Sequence, residues 1–173
     1  EKVVLGFIVG SMMAIDMGGP INKAAYVTGT ALVTTAGTAG SDVMAAVMVG
    51  GMVPPLAIAL SATISKKLWS QAQRGSALVN YVMGLSFITE GAIPFAASNP
   101  LRVIPPLFLS SGVAGALSMV FDCKSKAPHG GMFAVLVGAV SNPIMYIIAL
   151  VVGTVMGALL LIVSLNLGKK KEN

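Results

Sequence analysis

Glu90 is the only Asp, Glu, Lys or Arg between Arg74 and Arg102, and it lies within Ile88-Thr89-Glu90-Gly91-Ala92-Ile93-Pro94. An ionisable group is expensive to keep in an apolar run and is by default a functional candidate there. Gly91 and Pro94 both interrupt a helix, so backbone groups beside the acid are free to turn toward a polar ligand. Three kinds of chemistry are open to it. A buried carboxyl can bond a helix end and hold the fold, a carboxylate can accept hydrogen bonds from solute hydroxyls, and a titrating acid can couple transport to protons.

Two further clusters carry polar chemistry. Asp16 and Lys23 stand seven residues apart around Gly18-Gly19-Pro20, with Asn22 between them. The expected alternatives are an ion pair sealing a broken helix, or a side chain of Asp16, Asn22 or Lys23 reaching a solute. His129 is the only histidine, in Pro128-His129-Gly130-Gly131, where glycines permit unusual backbone angles and close approach of a ligand. A lone loop histidine is otherwise simply solvated. The sequence contains no Walker-type phosphate loop, Gly-x-Gly-x-x-Gly turn, Gly-x-Ser-x-Gly elbow or metal-ligand cluster, so neither metal nor cofactor is expected. Cys123, the single cysteine, excludes an internal disulfide.

The elements that must position these residues are membrane helices. The chain of 173 residues is 55% hydrophobic and 10% charged, and its mean hydropathy is +0.88, a composition that would aggregate as a soluble domain. Uncharged stretches of 23 residues between Asp42 and Lys66, 19 between Arg102 and Asp122, and 42 between Lys126 and Lys169 match the about 20 residues a spanning helix needs. The net charge of +5 is split into short clusters between apolar spans, which is membrane topology and not a nucleic-acid surface. Lys66, Lys67 and Arg74, and the closing Lys169, Lys170 and Lys171, are placed on the cytoplasmic side by the positive-inside rule. Lys124 and Lys126 stay unassigned.

The pattern predicts an all-α, multi-pass membrane protein with broken, re-entrant segments. Val3 to Ile15 is apolar but short and runs into the Gly-Gly-Pro break. Ala24 to Ser41, rich in Thr, Gly and Ala, is expected to face protein. Val43 to Ser65 is the clearest span, with a kink or break expected at Gly50-Gly51 and Pro54-Pro55. Trp69, in the connector that follows, suits the membrane interface. Gly75 to Phe87 reads as helix, Ile88 to Pro100 as a broken segment carrying Glu90, and Leu101 to Phe121 as a span. Asn142-Pro143 divides the last apolar run into a short Met132 to Ser141 piece and a span from Ile144 to Leu165. The chain opens on Glu1-Lys2 without a signal peptide, and reads as a fragment of something longer.

Asp16-Met17-Gly18-Gly19-Pro20-Ile21-Asn22-Lys23-Ala24-Ala25-Tyr26, Ile88-Thr89-Glu90-Gly91-Ala92-Ile93-Pro94-Phe95, Asn99-Pro100-Leu101-Arg102-Val103-Ile104-Pro105 and Ala127-Pro128-His129-Gly130-Gly131 occur in that order. Together they closely resemble the membrane-embedded IIC component of the bacterial phosphoenolpyruvate-dependent sugar phosphotransferase system, in its fructose-specific branch. The resemblance covers essentially the whole chain, as the C-terminal half of a IIC domain. It implies binding and translocation of fructose across the bacterial cytoplasmic membrane, coupled to phosphorylation to the 1-phosphate by a phosphocysteine on a partner IIB domain. It further implies IIA as the IIB domain's own partner, membrane lipid around the chain, and a homodimer. Cys123 sits in none of the phosphocysteine loop's sequence, so this chain alone is not expected to accept phosphate or to hold a catalytic residue. Related IIC families place a glutamate of a Gly-Pro broken hairpin, and a histidine, at the sugar. The expected substrate-binding set is therefore Glu90, His129, Asn22, Lys23, Asp16 and Thr89. The competing class is an ion-coupled secondary transporter with Glu90 as the coupling acid.

Overall fold

The computed structural model of the chain describes residues 1–171, with side chains as far as Lys169. The side chains of Lys170 and Lys171, part of the expected cytoplasmic cluster, lie outside the described residues. Eight α-helices follow in order: α1 (Lys2–Ile15), α2 (Pro20–Ala36), α3 (Asp42–Ile64), α4 (Gln71–Leu85), α5 (Ile93–Ser98), α6 (Pro100–Val120), α7 (Met132–Leu136) and α8 (Pro143–Lys171). Three of them, α3, α6 and α8, are long and apolar enough to cross a membrane, and the all-α membrane class holds.

Helix α3 is the axis of the bundle. It is apolar all round, and such a helix belongs in a core; Val43 through Ala59 are all buried. Helices α1, α2, α4, α6 and α8 pack around it. The α1–α3 crossing is close enough that a methyl group on Gly50 would stand 2.6 Å from the Gly10 Cα, so small residues set the helix spacing.

Neither proline pair breaks its helix, so of the kink or break expected around Pro54-Pro55 the break does not occur. A proline lacks the N–H that would bond the carbonyl four residues earlier, so Pro55 frees the Gly51 carbonyl and Pro106 frees that of Arg102. Each is taken by a hydroxyl from elsewhere: Thr89 Oγ1 donates to Gly51 O at 2.8 Å, and Ser164 Oγ donates to Arg102 O at 2.8 Å. One orphaned acceptor in each helix is thereby satisfied, which lowers the cost of continuing through the proline pair.

Other boundaries shift for local reasons. Helix α2 starts at Pro20, since proline is preorganised for a first helical turn, and of its 17 residues only Asn22, Ala25, Gly29 and Val33 are buried, so most of it does not face protein among the described residues. Helix α4 starts at Gln71 because Ser70 and Gln73 form a reciprocal capping box. Trp69, in the connector at the end of α3, is buried within the protein: it donates from Nε1 to Ser61 Oγ at 3.0 Å and meets the Phe95 ring edge-on at 5.2 Å.

The two ends of the bundle differ in charge. At one end Lys2 pairs with Asp42 at 3.2 Å, Ser41 and Ser125 exchange backbone hydrogen bonds, and Ser141 N–H donates to Lys124 O. There Lys2, Lys124 and Lys126 are balanced by Glu1, Asp42 and Asp122. At the other end Arg102 Nη1 donates to Ser164 O and Lys169 Nζ to Lys67 O, so Lys66, Lys67, Arg74, Arg102 and Lys169 gather with no acid among the described residues. This second end carries the clusters that the positive-inside rule leads one to expect on the cytoplasmic side. Lys124 and Lys126 thereby fall on the opposite, electrically balanced end.

Cys123 closes the balanced end beneath α6 and is fully buried. Burial pushes its thiol up to about 11, and the Asp122 charge adds to the shift. Against the ordinary thiol value of 9.0, the thiolate fraction below pH 9 falls by about a hundredfold. Maleimide labelling of the folded protein at pH 7.5 is therefore expected to be at least about a hundredfold slower than labelling of an exposed cysteine introduced at Gly37. Between pH 9 and about 11 the unfolded chain has released a proton that the folded chain retains, so this group's contribution to stability declines as pH rises through that window.

Candidate functional site

Helix α1 ends at Ile15, where Met17 (φ 45°) and Gly18 (φ 111°) turn the chain into α2. The carboxylate of Asp16 spans the break, accepting from Ile21 N–H at 2.7 Å and from Asn22 N–H at 2.9 Å. These are donors of the first turn of α2 that have no partner within the helix, and a carboxylate at a helix N-terminus also meets the positive end of the dipole. Asn22 completes the joint in the other direction: its Nδ2 donates to Met13 O at 2.9 Å, near the end of α1. Its Oδ1 is left as an acceptor. Lys23 forms no ion pair with Asp16, since among the described residues the ion pair is Lys2 with Asp42.

The second interruption follows α4. Ile88 N–H donates to Met83 O and Phe87 N–H to Gly84 O, a Schellman closure with Phe87 at the left-handed position, φ 61°. Glycine is the usual occupant, and a phenylalanine there costs roughly 1 kcal/mol or more. That cost places its ring against His129, with centroids 4.9 Å apart, and 6.2 Å from Tyr26. A short 3₁₀ turn over Thr89–Ala92 then presents Glu90 before α5 doubles back.

The third interruption comes from the balanced end. After Ser125 the chain passes through His129-Gly130-Gly131 into α7, and Gly131 lies directly against the Leu85 carbonyl at the end of α4. Gly130 N–H donates to His129 Nδ1 at 2.8 Å, which assigns the ring proton of the neutral imidazole to Nε2. Nε2 is thus the donor His129 can offer a ligand.

These interruptions enclose a cavity of about 230 Å³ lined by Met13, Gly18, Asn22, Lys23, Tyr26, Phe87, Thr89, Glu90 and His129. Five of the six residues expected from sequence line it. Asp16 does not; both its oxygens are committed to the break. Thr89 lines the cavity while its hydroxyl donates to Gly51 O. Glu90 lies so close to Gly18 that a methyl group there would stand 2.8 Å from Oε1. Met13, Gly18, Tyr26 and Phe87 were not expected at the site. Gly18 and Tyr26 belong to the Asp16 to Tyr26 motif, and Phe87 precedes Ile88-Thr89-Glu90, so proximity to the motifs was the available signal. Among the described residues no group of acids, histidine and cysteine is arranged to hold a metal ion.

The cavity offers one carboxylate, one ammonium group, an amide oxygen, an imidazole N–H and aromatic faces. Such a set can hold a polyhydroxylated solute. A family model described as "Phosphotransferase system, EIIC" matches residues 2–110. The chain belongs to the phosphotransferase-system EIIC family. This EIIC chain is 49% identical to the "PTS system fructose-specific EIIB'BC component" of Xanthomonas campestris pv. campestris, over 98% of the chain and 28% of that relative. It is 46% identical to the "PTS system fructose-specific EIIABC component" of Bacillus subtilis (strain 168), over 92% of the chain and 24% of the relative. It is 45% identical to the "Fructose permease IIC component" of Bacillus amyloliquefaciens, over 92% of the chain and 50% of the relative. The EIIC chain thus spans a quarter to a half of the length of these relatives. No solved structure matches it.

Proposed function

We propose that this chain, as the C-terminal portion of a IIC domain, forms a fructose-holding site in a permease of the bacterial cytoplasmic membrane, and that IIB and IIA domains supply the phosphoryl group. The observation that carries this reading is the convergence of Glu90, His129, Asn22 and Lys23 on one cavity from three separate chain interruptions. A neutral polyol needs several hydrogen-bonding partners in a low-dielectric site. The Glu90 carboxylate accepts from two hydroxyls, Asn22 Oδ1 accepts from a third, and His129 Nε2–H donates to an oxygen. Phe87 and Tyr26 cover the apolar C–H face of the ring. Lys23, without an acid partner among the described residues, meets the phosphoryl group as it arrives. In the transfer, the phosphorus–sulfur bond of the IIB phosphocysteine breaks as a bond to the sugar 1-hydroxyl oxygen forms, and the hydroxyl proton passes to Glu90. Orientation of that hydroxyl supplies much of the rate.

The relatives named with EIIB and EIIA components support partnership with those domains, and a homodimer is the assembly expected from the resemblance. Vesicles containing the complete transporter and its soluble partners are expected to accumulate fructose as a phosphate ester when phosphoenolpyruvate is supplied. They should not accumulate it when given a proton gradient alone. Concentration of unmodified fructose by the gradient would overturn the reading in favour of an ion-coupled transporter.

A further inference from the structure

A second cavity lies at the basic end, between the end of α3 and the start of α4, and shares no lining residue with the Glu90 and His129 cavity. It measures about 450 Å³ and is lined by Thr63, Lys66, Gln71 and Arg74 over Ala62, Gly75 and Leu78. Arg74 Nε is buried and has no hydrogen-bond partner. A buried guanidinium N–H without an acceptor is costly and calls for an explanation. The side chains nearby do not provide one. Thr63 Oγ1 is already engaged by Ala59 O and Tyr81 Oη, and no ion pair forms here among the described residues. Of the other cations of this end, Arg102 bonds Ser164 O and Lys169 bonds Lys67 O. Among the described residues Lys66 and Arg74 have no acid partner, and both line this one groove.

The apolar part of the groove identifies the kind of anion. Leu78 begins a row of exposed side chains at helical spacing, Leu78, Val82 and Leu85, which are 51%, 68% and 39% exposed. These positions share one face of α4 and run from the basic end toward the α4–α5 turn. A groove with cations at its mouth and an apolar track leading inward complements an amphiphile with an anionic head.

We propose that Lys66 and Arg74 bind the phosphate of an anionic phospholipid, whose acyl chain follows Leu78, Val82 and Leu85. Arg74 Nε–H then gains the acceptor it lacks, in a charge-assisted hydrogen bond of the kind guanidinium makes with phosphate oxygens. The site has no part in sugar binding, so the proposal stands whether or not fructose is the solute.

The test uses the complete transporter in phosphatidylcholine nanodiscs containing increasing phosphatidylglycerol, with bound lipid counted by native mass spectrometry. Lys66→Gln combined with Arg74→Gln is expected to lower phosphatidylglycerol retention about tenfold or more. Lys124→Gln combined with Lys126→Gln, at the opposite end, should leave retention within about twofold. If the Arg74 variant does not fold, Lys66→Gln alone and Leu78→Asn, both at exposed positions, must each weaken retention. Phosphatidylcholine binding should be unchanged in every variant, and millimolar inorganic phosphate should not displace the lipid. Equal retention by the wild type and the Lys66 and Arg74 variants would overturn the proposal. Displacement by inorganic phosphate would assign the groove to free phosphate instead.

Discussion

Glu90→Gln is expected to weaken fructose binding by the complete transporter about a hundredfold, because it removes the charge from an acceptor of two sugar hydroxyls, each worth about 1.5 kcal/mol. Glutamine keeps the shape of glutamate and places an N–H where one hydroxyl donates, so the variant tests charge and acceptor capacity without changing volume. Folding should be little affected. Glu90 is solvent-exposed in the cavity and none of its side-chain atoms hydrogen-bonds another described group that the substitution would strand. Isothermal titration or equilibrium dialysis with labelled fructose provides the measurement, and thermal unfolding of the same sample checks integrity. Unchanged affinity in a folded Glu90→Gln variant would remove Glu90 from the sugar. Gly18→Ala approaches the same carboxylate from the opposite side: its methyl group would stand 2.8 Å from Oε1 at a backbone φ of 111°, and should lower affinity by displacing Glu90.

Gly131→Ala should be the most disruptive single-methyl substitution in the loop region, with a loss of roughly 3 kcal/mol or more and the disappearance of fructose binding. Two effects combine there. The backbone at φ 55°, ψ −123° is one that residues with a side chain rarely adopt, and a Cβ would run into the Leu85 carbonyl and stand 2.9 Å from Phe87 N. Neither contact is with the end of a flexible side chain, so the His129 loop must separate from the α4 terminus. The two effects can be measured apart. Gly37 has nearly the same backbone, φ 57°, ψ −125°, with nothing within 4 Å of a built Cβ. Gly37→Ala therefore reports the backbone term, about 1–3 kcal/mol, and the excess loss in Gly131→Ala reports the collision. Equal midpoints in thermal unfolding for the two variants would show that the close approach of the loop to α4 is energetically unimportant.

Most of the fold's inventory was legible because its causes are local. Uncharged length defines the spans, and Gly-Pro motifs mark the interruptions at 16–20, 88–94 and 128–131. Where local rules failed, distant atoms were responsible. Pro54-Pro55 was expected to kink or break α3, yet the helix is unbroken, and the hydroxyl of Thr89 takes the place of the missing donor to Gly51 O. The burial of Trp69 was likewise not legible locally, since it is set by Ser61 and Phe95. Asp16 and Glu90 are both acids beside a glycine break, and only the folded chain separates them: one is committed to two backbone N–H groups, while the other faces the cavity.

The sequence by itself determined the membrane class, the EIIC-like motifs and the residue types available for holding a polyol, since each depends on composition or on a few consecutive residues. The tertiary structure decided that the breaks after α1 and α4 and the turn before α7 meet at one cavity, that Phe87 and Tyr26 join it, and that Lys124 and Lys126 lie opposite the basic end. Those outcomes depend on contacts between residues tens of positions apart, where helix packing and the satisfaction of freed backbone groups select one arrangement. No local pattern along the chain encodes that selection.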